Sequence, residues 1–166
     1  MPSDCVRNFV KHNKDEIAGR RMIYSYTGYV IEYRGQKVYF GGDTAYHPNV
    51  FAETGKRLGP FDLVLLPIGP ITPREVMCRV HMTPADALTA FEELGGEVMV
   101  PIHFDTFHTS FDEVGDAPRE LMAASKRRGL DPSRVVVLSH GQRAVFIRST
   151  SGVVARVDGP GSARGG

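Results

Sequence analysis

The sequence predicts an α/β fold, a mixed sheet with helices packed on one face. Three observations carry that expectation. Val38-Tyr39-Phe40, Asp62 to Pro67 and Val98 to Ile102 are short, largely apolar runs of the kind found in strands covered by other layers. Segments with helical spacing lie between and after them, most clearly the one opened by Thr83-Pro84-Ala85-Asp86. β and α signals therefore alternate after an initial hairpin, the order expected of a layered α/β domain.

In chain order, residues 1–21 are charged and weakly patterned and read as an N-terminal arm without regular structure. Met22 to Tyr26 and Tyr29 to Tyr33 are rich in Ile, Val and Tyr and read as strands. Arg34-Gly35-Gln36 is a short turn, so Tyr29–Tyr33 and Lys37–Phe40 form a hairpin. Asn49 to Arg57 is a short helix stopped by Gly59-Pro60, and Asp62 to Pro67 is a buried strand. Ile68 to Arg79 contains Pro70 and Pro73 and reads as a loop. Thr83 then caps a helix with Pro84 in its first turn; Ala87, Leu88, Phe91 and Leu94 form its apolar stripe, and Gly95-Gly96 ends it. Phe104 to Asp116 is a loop, and Ala117 to Arg128 an amphipathic helix stopped by Gly129. Arg134 to Leu138 and Ala144 to Ile147 read as final strands, and Gly/Ser-rich 149–166 as a disordered tail. The folded unit is thus expected over 22–148.

At 166 residues the chain suits one domain with its own core. Lys plus Arg is 20 against 19 for Asp plus Glu, a net charge of +1, which argues against a nucleic-acid surface or a polybasic membrane anchor. Cys5 and Cys78 have no framework or CxxC spacing and read as free thiols of a reducing compartment. No apolar run approaches the roughly 20 residues that span a bilayer, and the first residues carry no signal-peptide core. The expected setting is the cytoplasm.

Chemistry concentrates at element ends. Gly41 and Gly42 stop the Val38–Phe40 strand and present Asp43 just beyond it, where open α/β sheets place reactive groups. His103 ends the strand Val98–Ile102, and His81 precedes the helix cap. One carboxylate and two imidazoles suit zinc or a similar divalent ion. Asp43 as a helix or turn cap is the structural reading that stands beside this one. Among the other polar residues, His140 reads as fixing the turn before Gly141, His47 and His108 as loop residues, and Thr44 as bonding its own backbone. Arg74 and Arg79 read as solvated charges, with contact to an anionic substrate group as their functional counterpart.

Gly-Gly-Asp-Thr at 41–44 and Pro-Ile-His-Phe at 101–104 resemble the later metal motifs of the metallo-β-lactamase fold. With Gly55 to Leu63, Leu66-Pro67-Ile68-Gly69, Val80-His81-Met82 and Ser139-His140-Gly141-Gln142, residues 28 to 147 resemble the branch containing N-acyl-phosphatidylethanolamine phospholipase D. The resemblance implies the C-terminal half of an αβ/βα sandwich. It implies a site of one or two divalent ions, usually zinc and sometimes iron or manganese, with Asp43 as the bridging ligand and His103 as the final histidine ligand. It implies that His81 is a pocket histidine that contacts substrate or assists proton transfer. It implies hydrolysis of a phosphodiester, ester, amide or lactone in a small-molecule or lipid substrate by metal-bound hydroxide.

The chain departs from that family in lacking any His-x-His-x-Asp-His. Its histidines are His12, His47, His81, His103, His108 and His140, none two apart, and His12 is the one candidate to replace a missing ligand. The expectation is a truncated hydrolase with weak metal binding and little turnover alone. Its bare sheet face would be covered by a second copy or by a missing N-terminal half. Two alternatives stand: a non-catalytic binding module derived from the fold, and a complete small α/β protein in which Asp43 and His103 are structural.

Overall fold

The computed structural model describes residues 5–17, 20–108, 110–150 and 152–158, with the side chains described from residue 28 onward. Five strands form a sheet in the order β1 (Cys5–Ile17), β2 (Arg20–Tyr33), β3 (Gln36–Phe40), β4 (Phe61–Pro67) and β5 (Gly96–Ile102). The first three are antiparallel, and β3, β4 and β5 are parallel, so the sheet is mixed as expected. The β2–β3 hairpin turns through Arg34 and Gly35, both at positive φ, as a tight two-residue connection demands. Parallel strands need crossovers. α1 (Val50–Leu58) supplies one between β3 and β4, and α2 (Arg74–Met77) with α3 (Pro84–Glu93) supplies the next. α4 (Asp116–Arg127) follows β5, and β6 (Ala144–Ser149) pairs with β7 (Gly152–Val157) in a separate two-stranded sheet.

Side-chain alternation decides which face is buried. Val30, Tyr39, Val64 and Met99 are successive cross-strand partners, and Val135 bridges Met99 at the end of the row. All five are buried with Leu88, Phe91, Leu121 and Ala124 of the helices. Burial raises the Tyr39 hydroxyl pKa to about 12. α3 lies between α1 and α4 and packs on β4 and β5. The alternate residues of β2 and β3 point the other way: Tyr29, Ile31, Tyr33 and Phe40 remain 37–48% exposed. Val145, Ile147, Val154 and Val157 of the second sheet are exposed as well. Helices thus cover one face, and apolar surface is left on the other.

Four expectations need correction. Residues 5–17 are not an irregular arm: their backbone pairs in register with β2 from Cys5↔Glu32 to Ile17↔Arg20. From Lys11 to Glu16 polar residues occupy both alternating sets, so no period-two signal marks the strand. Arg134–Leu138 is not a strand; a 3-10 turn at Pro132–Arg134 leads into the single bridge at Val135. The segment after 149 is not all disordered tail, since Gly152–Val157 pairs with β6; Val153, Val154 and Val157 are β-formers that the surrounding Gly/Ser composition masks. The loop Ile68–Arg79 contains the short helix α2. Residues 159–166 of the expected tail lie outside the described part. Arg148 pairs with the buried Asp62 of β4, and Glu97 of β5 accepts from the Val153 amide, which fastens the small sheet to the large one. No helix among the described residues is long and apolar enough to cross a membrane.

α1 meets the end of α3 at Gly55. A Cβ there would stand 2.1 Å from the Glu93 carbonyl oxygen and 2.9 Å from Leu94 Cα, backbone atoms that no rotamer change can move. The helix-propensity gain of Gly55→Ala, about 1 kcal/mol, opposes an overpacking cost at or above the top of about 1–3 kcal/mol. We expect a net loss near 2 kcal/mol, read as a lower urea midpoint at unchanged m value.

Candidate metal centre

Gly41 continues the β3 pairing, its amide donating to Leu65 O at 2.8 Å. A Cβ on Gly41 would fall 2.9 Å from Leu66 Cδ2, and Gly42 then turns the chain at φ 65°. Asp43 emerges from this turn with its side chain 56% exposed. His81 follows α2 and its amide donates to Met77 O at 2.7 Å. It is anchored from the other side by the fully buried Met82 and by the capping box of α3. In that box Thr83 Oγ1 accepts from the Asp86 amide while Asp86 accepts from the Thr83 amide and from Arg74. His103 ends β5 at φ 59°, a left-handed conformation uncommon outside glycine.

These three loops bring their side chains together. His81 Nδ1 lies 2.9 Å from Asp43 Oδ1, and His103 Nε2 lies 3.5 Å from Asp43 Oδ2. The two imidazole centroids are 5.3 Å apart. One donor atom from each residue falls within 4.8 Å of the others. Both carboxylate–imidazole separations are shorter than the roughly 4.2 Å that two ligands can span across one ion with bonds near 2.1 Å.

Two details bear on whether a cation fits. His103 Nδ1 donates to Gly69 O at 3.2 Å, which leaves Nε2 as the lone-pair nitrogen facing Asp43. His81 Nδ1 is close to Asp43 but not aligned as a hydrogen bond, and it is a buried polar atom with no hydrogen-bond partner. An oriented imidazole nitrogen and a carboxylate facing it suit a divalent ion, and the orphaned His81 nitrogen stands at the edge of that carboxylate.

The remaining sequence candidates lie elsewhere or act locally. His47 Nδ1 donates to the neighbouring Pro48 O, and Thr44 Oγ1 to Ala45 O. His140 Nε2 meets Thr106 Oγ1 at 3.1 Å and its ring lies against Phe104. Arg74 pairs with Asp86. The His12 side chain lies outside the described part.

Sequence reasoning passed over Asp112, which ties the His103 loop down. It accepts from the Ile71 amide at 2.6 Å, the Thr72 amide at 3.0 Å and Ser110 Oγ at 2.8 Å, and also from the Thr72 hydroxyl. The Ser110-Phe111-Asp112 spacing, a pattern of local side-chain to backbone bonding, was the available signal. Partial burial pushes the Asp112 carboxyl up, but the hydrogen bonds from Thr72, Ile71 and Ser110 outweigh it and hold the carboxyl below its ordinary pKa. A lowered folded-state pKa means that the stabilisation is whole above the unfolded value and is lost as pH falls through the folded one. Asp112→Asn is therefore expected to destabilise at neutral pH and to lose less on acidification below about pH 4 than wild type. Thermal melts of both proteins across that range measure the difference.

Comparison with known proteins follows the same lines. A sequence family described as a β-lactamase superfamily domain matches residues 6–104. An N-acyl-phosphatidylethanolamine-hydrolyzing phospholipase D of Caenorhabditis elegans is 31% identical over 121 residues, 70% of this chain and 33% of its own. A metal-dependent hydrolase of Thermococcus onnurineus is 32% identical over 127 residues, 75% of this chain and 48% of its own. Among solved structures, the metallo hydrolase Igni18 of Ignicoccus hospitalis superposes with a TM-score of 0.54 at 25% identity, covering 81% of this chain and 50% of that one. The chain spans about a third to a half of the length of these relatives. With the family match running through more than half of the residues and the sheet and helices of the same fold around Asp43, His81 and His103, the chain belongs to the β-lactamase superfamily and has the metallo-β-lactamase fold.

Proposed function

We propose that this chain carries part of a zinc centre for hydrolysis of a phosphodiester, ester or lactone, with Asp43 and His103 as ligands and His81 as the proton-handling histidine beside them. The observation that carries the reading is the convergence of the three side chains, with His103 already turned by Gly69 O so that Nε2 faces Asp43. A divalent ion bound there would supply Lewis acidity and a lowered pKa for water. Gly69 O holds the His103 tautomer, and Gly41 and Gly42 aim the carboxylate. His81 Nδ1, without another partner, takes or returns a proton at the edge of the Asp43 carboxylate.

The names of the relatives support the class of reaction, and the phospholipase among them supports a lipid phosphodiester as one substrate. Nitrogen and oxygen donors suit zinc. Two protein ligands are fewer than the three of an ordinary catalytic zinc. The uncovered face formed by Tyr29, Ile31, Tyr33 and Phe40 supports a further protein layer, from a second copy or additional polypeptide, that brings more donors to Asp43. Elemental analysis after zinc loading, together with hydrolysis of bis(p-nitrophenyl) phosphate, tests the reading. Zinc retained by wild type and lost by both Asp43→Ala and His103→Ala supports it. Equal zinc in all three proteins favours a non-catalytic module instead.

A further inference from the structure

A cavity of about 420 Å³ opens beside His103, between Gly69-Pro70, the loop after β5 and the first turn of α4. Its apolar wall comes from Pro70, Phe104, Phe107, Val114 and Ala117, its acidic groups are Asp105, Asp112 and Glu113, and the imidazoles of His103 and His108 also line it. Among the described lining residues there is no Lys or Arg. The bonds described for Asp105 and Asp112 come from neutral groups. Asp105 accepts the Gly115 amide at 3.0 Å, and all the donors to Asp112 are neutral amides and hydroxyls. Arg119, on α4, is already paired with Asp116. These same bonds hold the wall in place before any ligand arrives, which lowers the ordering cost of binding. Phe107 stands 81% exposed at this cavity, and Phe111 is 84% exposed on the same loop. Aromatic faces combined with carboxylates attract an organic cation and repel an anion.

We propose that this cavity receives a positively charged arm of the substrate, an alkylammonium or quaternary ammonium group with an apolar body. It rests on the reading of His103 as part of the reacting centre: the scissile bond lies at His103 and the cationic arm in the cavity. Specificity then comes from Phe107 and Glu113, neither of which touches Asp43, His81 or His103 in any contact described above.

The test is a titration of the full chain, followed by NMR of the aromatic and methyl groups, with hexyltrimethylammonium, hexanol and hexanoate. The expected order is hexyltrimethylammonium tightest, by about two- to fivefold over hexanol from cation–π attraction at an exposed ring, and hexanoate weakest. Phe107→Ala is expected to weaken the ammonium about threefold or more, and Glu113→Gln to weaken the ammonium while strengthening hexanoate. Hexanoate binding as well as the ammonium, or both variants titrating like wild type, would overturn the proposal. The titration needs no metal, so the two readings fail separately. Zinc uptake without ammonium preference removes the cavity assignment alone. Ammonium preference without zinc uptake removes the metal centre and with it the cavity's place in a reaction, but not the site.

Discussion

Asp43→Ala is expected to lower the affinity of the chain for zinc by at least about 100-fold while leaving its fold intact. Loss of an outer partner of a metal ligand costs about 10–100-fold, and loss of a ligand that both imidazoles face costs more. The stability half of the expectation follows from exposure. Asp43 is more than half solvent-accessible, and its close contacts are the two histidines, so its removal opens no cavity in the core. His103→Ala should behave in the same way. His81→Ala should retain most of the zinc affinity and lose turnover, because its proposed role is at a proton and not at the ion. Competition with a chromogenic chelator gives the affinities, and far-UV circular dichroism checks the fold. Equal zinc affinities for His81→Ala and His103→Ala would reassign His81 as a ligand.

Phe91→Ala is expected to cost about 3–5 kcal/mol, the largest stability effect of the substitutions considered. Phe91 is fully buried between α3 and the sheet. Gly96, at the start of β5, approaches its ring so closely that a Cβ would stand 2.5 Å from the ring carbons. The Arg134 guanidinium covers the ring at 5.0 Å, while its Nη2 donates to Gly96 O at 2.8 Å. Removing the ring empties the joint between α3, β5 and the segment leading to Val135, and these elements do not close it without breaking those bonds. Domains of this size hold only about 5–15 kcal/mol in total, so a fall of roughly 10 °C in Tm is expected. Phe107→Ala, on the exposed loop, should move Tm by a degree or two at most. Thermal unfolding of the two variants side by side separates the core ring from the loop ring.

The elements that were legible are those whose local chemistry and tertiary role agree. β4 was legible because Leu63-Val64-Leu65-Leu66 is a continuous apolar run; Val64 and Leu66 are fully buried, while Leu63 and Leu65 on the opposite face are half-buried. α3 carries its cap, its proline and its apolar stripe within a dozen residues. β1 carries nothing comparable. Its pairing with β2 is a backbone matter, and Lys11 to Glu16 are polar at every position. β7 failed for another reason: three valines were averaged into a glycine-rich terminus.

The site divides in the same way. Asp43 and His103 were visible because each follows an apolar run, and the structure brings them and His81 together. What holds them was not visible. The bond from His103 to Gly69 O and the bonds that Asp112 accepts from the Ile71 and Thr72 amides join residues 34 to 41 positions apart, and no local pattern encodes them. The charge of the adjoining cavity was hidden likewise, since Asp105, Asp112 and Glu113 look like ordinary loop residues until the wall of Pro70 and Ala117 closes around them.

The most direct test is a crystal of the full chain soaked in zinc, with diffraction recorded on both sides of the zinc absorption edge. The account predicts an anomalous peak between Asp43 and His103, about 2.0–2.2 Å from a carboxylate oxygen and from Nε2. A peak elsewhere on the molecule, with Asp43 and His103 still in contact and no ion between them, would contradict it.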